Sequence, residues 1–346
     1  MCKLKLILLS VFAFFAITVV RANHFEEDFG GGRRIDLWSV GNMPNSRNMT
    51  LKDSVVNHRT WQIGVPRMYV FKPCSDNNTN TAVILIPGGG YAKQAYEAAG
   101  ITMAQWLNSI GITAFVLLHR LPTSPDLVEP DKAPLQDAQR AVRYVRAHAS
   151  EFGVEKIGVM GCSAGGHVSA CVSTIPTDVS AVGDSLDRYS FRPDFSILIS
   201  PVITMREELT NKGSRKALLG DNPADEMVDK YSMENHVTSD NPPTLLIHAS
   251  DDKAVSPMNS VMMYSALIEK GVTKSSIHIF PFGKHAIAMR RQPGTTALWP
   301  EIAENWMKEI GVFQLRWILI LTVSRCLARR GKENNEILSV VGSYLV

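Results

Sequence analysis

The stretch KIGVMGCSAGGHVSACVS, residues 156–173, is the most informative part of the sequence. A β-branched apolar run leads directly into GCSAGG at 161–166, and an apolar helical pattern follows. Strand, tight turn and helix form the context in which G-x-S-x-G presents a serine at the tip of a strand. Glycines are needed there because the backbone turns sharply, and the helix N-terminus favours negative charge beside the serine. The stretch therefore predicts that Ser163 is a nucleophile, in preference to a serine in an ordinary small-residue turn.

A serine nucleophile needs a base, and the base needs a third group to orient it. Downstream of the serine, Asp251 and Asp252 follow one predicted strand and His285 follows the next. Serine, acid and histidine in this order along the chain are one known arrangement of such a triad. Asp252 is the preferred acid because it begins an Asp-x-x-Val pattern, and Asp251 is the alternative. We predict that Ser163, Asp252 and His285 are the catalytic residues.

Three other histidines are less suited to be the base. His248 and His278 lie inside predicted strands, and His167 lies one turn into the helix after the serine. We expect these three side chains to pack within the domain.

The sequence PGGGY at 87–91 follows another predicted strand. Glycines allow backbone N–H groups to face a reacting carbonyl oxygen, where each donor contributes roughly 3–4 kcal/mol to catalysis. The N–H groups of Gly89, Gly90 and Ala164 are the predicted oxyanion-hole donors, and Tyr91 is predicted to bind substrate. A phosphate-binding loop is disfavoured because no Lys-Ser/Thr and no G-x-G-x-x-G spacing follows.

Short apolar runs alternate with longer amphipathic runs from about residue 67 to residue 311. Apolar strands separated by helices indicate an α/β fold with a mostly parallel sheet covered on both faces, whose ligand site lies at the carboxyl ends of the strands. No linker divides the region, so we predict one catalytic domain over residues 23–313. The predicted strands are Met68–Phe71, Ala82–Ile86, Ile112–Leu118, Lys156–Met160, Phe195–Ile199, Thr244–His248 and Ile277–Phe280. The predicted helices are Ala95–Ser109, Leu135–Phe152, Ala164–Ser173, Asn259–Lys270 and Leu298–Lys308.

Four segments carry a resemblance to a known family. They are PGGGY at 87–91, LHRLP at 118–122, APLQDAQRA at 133–141 and GCSAGGH at 161–167. Together they resemble the α/β-hydrolase superfamily. Within it, the chain is similar to secreted acetylxylan esterases and feruloyl/acetyl esterases over about residues 38–313. The resemblance implies the α/β-hydrolase fold and a serine carboxylesterase that forms an acyl-enzyme on short-acyl, acetyl esters of carbohydrate.

The connection Ser200–Pro243 between two predicted strands has only short helical pieces and contains no strongly apolar insert. We expect at most a small cap, and hence an open site that suits a small acyl group on a bulky polar alcohol. Two alternatives stay open. One is an amide or peptide hydrolase with the same triad, similar to formamidases or prolyl peptidases, and the other is an inactive secreted binding protein.

The formal net charge of +3 arises at the ends of the chain. Residues 1–22 contribute +3 and residues 315–346 contribute +3, so the residues between them carry −3. The basic excess therefore gives no reason to expect a nucleic-acid partner. Lys3 and Lys5 precede the apolar run Leu6–Val20, and Val20-Arg21-Ala22 offers a cleavage site. We predict a signal peptide over residues 1–22 and a secreted protein without a membrane span after its removal.

Two sequence triplets would be usable in a secretory pathway. Asn48 and Asn77 begin N-x-Thr triplets and are predicted N-glycosylation sites. Four cysteines remain after residue 22 and permit up to two disulfides, but their spacing selects no pairing. Residues 314–346 form an atypical tail to which the sequence assigns no role. The four cysteines after residue 22 are Cys74, Cys162, Cys171 and Cys326.

No Cys–His spacing indicates zinc, and no acidic cluster indicates a metal-dependent hydrolase. We therefore predict no cofactor and no metal, and a small-molecule or polysaccharide ester as the substrate. Cys162, next to the serine, is expected to be a small apolar strand residue. The oligomeric state is left open.

Overall fold

The computed structural model describes residues 25–39, 41–74, 77–285 and 287–312. The predicted signal peptide and the tail at 314–346 lie outside the described residues. Within the described ranges, no helix is both long and apolar enough to cross a bilayer. Cys74, Cys162 and Cys171 all have free thiols.

Eight strands form one sheet in the order β1-β4-β6-β5-β7-β8-β9-β10. β4 pairs antiparallel with both β1 and β6, whereas the pairs from β6 through β10 are parallel. The predicted mostly parallel sheet is thus confirmed. All seven predicted strands are present, and each predicted end lies within two residues of the observed one. The strands are β1 Arg33–Asp36, β2 Ser54–Val56, β3 Arg59–Gln62, β4 Arg67–Phe71, β5 Thr81–Ile86, β6 Thr113–Leu118, β7 Lys156–Cys162, β8 Phe195–Ile199, β9 Thr244–Ala249 and β10 Ser276–Phe280.

The central strands read as continuous apolar runs because both faces of the sheet are covered. Successive side chains of a strand point to opposite faces. Accordingly, Ile84 and Ile86 of β5 belong to one buried cluster, and Val83 and Leu85 belong to the other.

The helices that follow the strands cover these two clusters. The cluster with Ile84 and Ile86 lies under the helices Ala133–Ala147 and Ala164–Thr174. The cluster with Val83 and Leu85 lies under the helices Thr102–Ser109 and Trp299–Glu309. The helices are α1 Thr102–Ser109, α2 Ala133–Ala147, α3 Ala149–Phe152, α4 Ala164–Thr174, α5 Lys212–Leu219, α6 Asp225–Lys230, α7 Met258–Glu269 and α8 Trp299–Glu309.

Two predicted helices are irregular. The first begins with a π-helical turn, Glu97–Ile101, ahead of α1. In this turn a Cβ atom on Gly100 would lie 2.7 Å from Val116 Cγ1, so the glycine lets the turn approach β6 closely. The second is divided at His148, whose φ of −109° and ψ of 23° end α2 before α3 begins.

The connection Ser200–Pro243 holds only α5, α6 and a short 3₁₀ turn at Met233–Asn235, in agreement with a small cap. Asn211 begins α5 by accepting the N–H of Ser214, and it donates to the carbonyl oxygen of Ala254 at 2.9 Å. These two bonds hold the start of the cap beside the loop that follows β9.

A hairpin outside the main sheet, β2–β3, was not predicted. Its turn residues Asn57 and His58 have φ of 50° and 54°, as in the turns that match the twist of tight hairpins. Thr60 exchanges backbone hydrogen bonds of 3.0 and 2.8 Å with Gln94. The hairpin is therefore attached to the segment that follows the three glycines.

Candidate active site

Ser163 lies in a strained turn between β7 and α4, with φ of 56° and ψ of −121°. A Cβ atom at Gly161 would lie 2.1 Å from the Gly165 carbonyl oxygen, and one at Gly165 would lie 2.0 Å from that of Ile86. Both positions must therefore be glycine for α4 to pack this closely on β5 and β7. The turn exposes the Ser163 side chain at the carboxyl edge of the sheet.

His285 contacts both other predicted triad residues. Its Nε2 lies 2.9 Å from Ser163 Oγ, and its Nδ1 lies 2.7 Å from Asp252 Oδ2. The three residues follow β7, β9 and β10, whose carboxyl ends meet at one edge of the sheet. An ionised Asp252 accepts only, so Nδ1 donates to it and Nε2 is left to accept the serine proton.

The Asp252 side chain is fully buried, and both of its oxygens accept hydrogen bonds. Oδ1 accepts the N–H groups of Ala254 at 2.9 Å and Val255 at 3.0 Å. Oδ2 faces His285 and also His248, whose Nε2 is 3.3 Å away. Burial alone would raise the pKa of the Asp252 carboxyl, but the hydrogen bonds from His248, His285 and Val255 outweigh it and hold that pKa well below its usual range.

The contact of His248 with Asp252 was missed by sequence reasoning, which identified this histidine only as a packed strand residue. His248 is completely buried and precedes Asp252 by four residues. The available signal was its position near the end of β9, at the edge where the acid emerges.

Asp251, the alternative acid, points elsewhere. Its Oδ1 accepts the backbone N–H of Lys284 at 2.7 Å, and it makes no hydrogen bond to His285 among the described residues. Asp251 therefore holds the loop that carries His285, whereas Asp252 contacts the imidazole.

The glycine loop after β5 reaches the same site. Gly89 and Gly90 have φ of 151° and 67°. A Cβ atom at Gly89 would lie 2.2 Å from the Lys93 carbonyl oxygen. The N–H groups of Gly89, Gly90 and Ala164 donate to no acceptor among the described residues. Gly89 and Gly90 also line the cavity that contains Ser163, and the role of the three N–H groups as oxyanion donors stays a prediction.

The Tyr91 side chain is only 3% exposed and does not belong to the described lining of the cavity beside Ser163, so its role in substrate binding stays a prediction. The Tyr91 hydroxyl donates to His167 Nδ1 at 2.6 Å, and His167 Nε2 donates to the Tyr231 carbonyl oxygen at 2.8 Å. Burial lowers the pKa of His167 to about 4, so its ring is neutral. Tyr91 thus ties the glycine loop to α4.

Cys162 is buried at the end of β7, and burial raises the pKa of its thiol to about 12. A protonated, buried thiol is a poor nucleophile. This agrees with the expectation of a small apolar strand residue.

A cavity of about 620 Å³ opens over Ser163 and His285. Gly88, Cys162 and Ile287, all buried, lie in its lining. The cap contributes Asn211, and longer polar side chains come from the surrounding loops.

The predicted glycosylation sites are accessible to solvent. Asn48 and Asn77 are both exposed. Their modification stays a prediction.

Sequence comparisons show which known proteins this chain is similar to. A profile of the BD-FAE family matches residues 68–267. The acetylxylan esterase of Xylanibacter ruminicola is 34% identical over 228 residues, which are 64% of this chain and 44% of that protein. Endo-1,4-beta-xylanase B of Butyrivibrio fibrisolvens is 32% identical over 227 residues, which are 65% of this chain and 35% of that protein. This chain therefore spans less than half the length of these two curated relatives.

This chain matches one solved structure over nearly the full length of that structure. The acetyl ester-xyloside bifunctional hydrolase of Caldicellulosiruptor lactoaceticus superposes with a TM-score of 0.67 at 35% identity. The match covers 82% of this chain and 98% of that one. On the profile match and this likeness, the chain belongs to the BD-FAE family and has the α/β-hydrolase fold.

Proposed function

We propose that this protein is a secreted serine carboxylesterase that hydrolyses short-acyl esters, chiefly acetyl esters of carbohydrate. The observation that carries the proposal is the hydrogen-bonded line from Ser163 through His285 to Asp252, which ends at a cavity. Ester hydrolysis needs a nucleophile, a base and oxyanion donors in one place, and these groups meet that need.

In the first half of the reaction, Ser163 Oγ attacks the ester carbonyl while His285 Nε2 takes its proton. The carbonyl oxygen becomes an anion and accepts hydrogen bonds from the N–H groups of Gly89, Gly90 and Ala164, each worth roughly 3–4 kcal/mol. The protonated His285, oriented by Asp252, then gives its proton to the departing alcohol. The acyl group stays on Ser163.

In the second half, His285 takes a proton from water, and the resulting hydroxide attacks the acyl carbonyl. The tetrahedral intermediate collapses, the proton returns to Ser163 Oγ, and the carboxylic acid leaves. No metal or cofactor is needed for either half.

The choice of acetyl-carbohydrate esters rests on two kinds of support. The relatives named above include an acetylxylan esterase and an acetyl ester-xyloside hydrolase. The short cap also leaves little cover for a long acyl chain. Secretion is supported by the sequence of residues 1–22.

Labelling with a fluorophosphonate probe tests the nucleophile. We expect wild-type protein to be labelled and the Ser163→Ala variant to be unlabelled but folded. An unlabelled, well-folded wild type would favour the inactive binding protein.

A substrate panel tests the reaction. Nitrophenyl acetate, butyrate and octanoate, acetylated xylan, an N-formyl anilide and a dipeptide anilide would be compared by kcat/KM. We expect nitrophenyl acetate to exceed octanoate and acetate to be released from acetylated xylan. A preference for octanoate would refute the short-acyl proposal, and faster cleavage of either anilide would favour an amide or peptide hydrolase.

A further inference from the structure

Three cationic side chains line the cavity that contains Ser163. They are Arg59, Lys93 and Arg290, and the one carboxylate in the described lining is Glu97. The mouth of the cavity therefore carries a positive excess.

These cations come from three separate segments. Arg59 begins β3 in the hairpin, Lys93 follows the glycine loop, and Arg290 lies five residues after His285. Residues 23–314 as a whole carry a net charge of −3. Positive charge is therefore concentrated at the cavity of an otherwise acidic domain, an arrangement that raises the local concentration of anions.

Within the described part of the chain, no carboxylate forms an ion pair with any of the three. Lys93 Nζ lies 4.5 Å from the centre of the Trp61 ring, a cation–π contact that leaves the ammonium charge unneutralised. Arg290 Nη2 donates weakly to the His285 carbonyl oxygen at 3.5 Å.

The arginines of the scaffold show the opposite behaviour. Arg120 pairs with Asp137 at 2.8 Å, and Arg143 pairs with Asp178 at 2.6 Å. Charges that stabilise the fold are thus neutralised within it, whereas those at the cavity face outward.

Positive charge continues beside His285. A neighbouring hollow of about 470 Å³ is lined by Lys284, Arg290 and Arg291 together with Asp251. The Asp251 carboxylate already accepts the N–H of Lys284. The hollow extends the cationic surface away from Ser163.

We propose that this cavity selects esters that carry a carboxylate on their alcohol half, such as an acetylated uronic acid residue, through Arg59, Lys93 and Arg290. The inference rests on the proposed ester hydrolysis. A small acyl group fits against the buried lining near Ser163, so the larger alcohol half must extend to the mouth, where Arg59 and Arg290 are exposed. A guanidinium matches the two oxygens of a carboxylate in geometry and charge.

The test compares two sugar esters that differ in one group, a monoacetylated methyl glucuronoside and the matched monoacetylated methyl glucoside. We expect kcat/KM for the acidic ester to be about tenfold higher at low ionic strength, the effect of roughly one to two partly exposed ion pairs. The ratio should fall toward one in about 0.5 M NaCl because salt screens exposed charges. Equal rates at low salt would overturn the inference and leave the proposed function intact.

Charge-neutral variants assign the effect to residues. We expect Arg59→Gln, Lys93→Gln and Arg290→Gln each to lower the ratio of acidic to neutral ester by roughly two- to fivefold. Lys270→Gln is the matched control, because Lys270 is exposed at the end of α7, near the amino ends of the strands. A drop in the ratio equal to that of the control would overturn the assignment.

Two further measurements separate the remaining outcomes. Nitrophenyl hemisuccinate and nitrophenyl butyrate place the carboxylate on the acyl half, and a preference confined to this pair would overturn the alcohol-half proposal. Calorimetry measures the binding of each sugar ester to the Ser163→Ala variant, and the ratio of the two affinities does not depend on turnover. If wild type hydrolyses neither sugar ester, the proposed function falls, and the binding ratio decides the inference by itself.

Discussion

His248 Nε2 lies 3.3 Å from Asp252 Oδ2, the same carboxylate oxygen that receives the hydrogen bond from His285. His248 also faces the Val255 carbonyl oxygen at 3.1 Å and the Ser260 hydroxyl at 2.8 Å. Both of these contacts fix its ring, with Nε2 as donor and Nδ1 as acceptor. The acid is therefore held by two imidazoles and two backbone N–H groups at once.

The first prediction concerns this acid. In Asp252→Asn, the amide NH₂ would face groups that themselves donate, so we expect a loss of about 2–3 kcal/mol in stability and a fall in kcat of roughly 10³–10⁴-fold. Asp251→Asn is the matched variant and should lower kcat less than about tenfold, because Asp251 acts only on the loop backbone. The measurements are kcat on nitrophenyl acetate and the denaturant midpoint. The reverse order of the two effects would make Asp251 the acid.

The second prediction separates two adjacent glycines. In Gly89→Ala the new Cβ would meet the Lys93 carbonyl oxygen at 2.2 Å, and the loop must shift. We expect kcat to fall by roughly 10²–10³-fold, as when one oxyanion donor is lost. Gly90→Ala places its Cβ no closer than 3.9 Å to Ser214 Oγ and adds only backbone strain, so the loss should be smaller. A loss of less than about tenfold in Gly89→Ala would argue against a donor role for Gly89.

The third prediction tests whether Tyr91 binds substrate or supports the glycine loop. Tyr91→Phe removes the hydroxyl that donates to His167 and should cost about 1–2 kcal/mol of stability. Because the side chain does not line the cavity, KM for nitrophenyl acetate should stay unchanged. Thermal unfolding measures the stability, and steady-state kinetics on the same preparation measures KM. A raised KM with unchanged stability would instead support Tyr91 as a substrate-binding residue.

The fourth prediction is a pH dependence of stability. The pKa of His167 is about 4 in the folded protein, and that of an unfolded histidine is about 6.5. Between these values the unfolded state binds more protons, so stability falls as the pH is lowered from 7 to 5. His167 accounts for about 2 kcal/mol of that fall.

The His167→Gln variant should lose correspondingly less stability between pH 7 and pH 5 than wild type, measured as the change in the free energy of unfolding in urea. His58→Gln is the control, since the His58 side chain is 54% exposed. A pH slope in His167→Gln identical to that of wild type would show that His167 does not titrate in this range.

Much of the site could be predicted because its signals are local. The glycines around Ser163 are required by contacts within a few residues of it and with the adjoining strand, so they mark the turn in the sequence. His285 could be found because the strand before it is short and apolar. The sequence could not decide as firmly whether Asp251 or Asp252 is the acid that contacts His285, because the two residues are adjacent and differ only in which side of the loop they face.

The sequence by itself determined the order of strands and helices, the serine turn and the glycine loop, since periodicity, glycine placement and charge are properties of short segments. Only the tertiary structure decided which carboxylate meets His285, that Tyr91 is buried against His167, and that Arg59, Lys93 and Arg290 gather at one cavity. The physical reason is that these contacts join residues far apart in the chain. They depend on the sheet order, the hairpin attached at Gln94 and the packing of the loops, which no local pattern specifies.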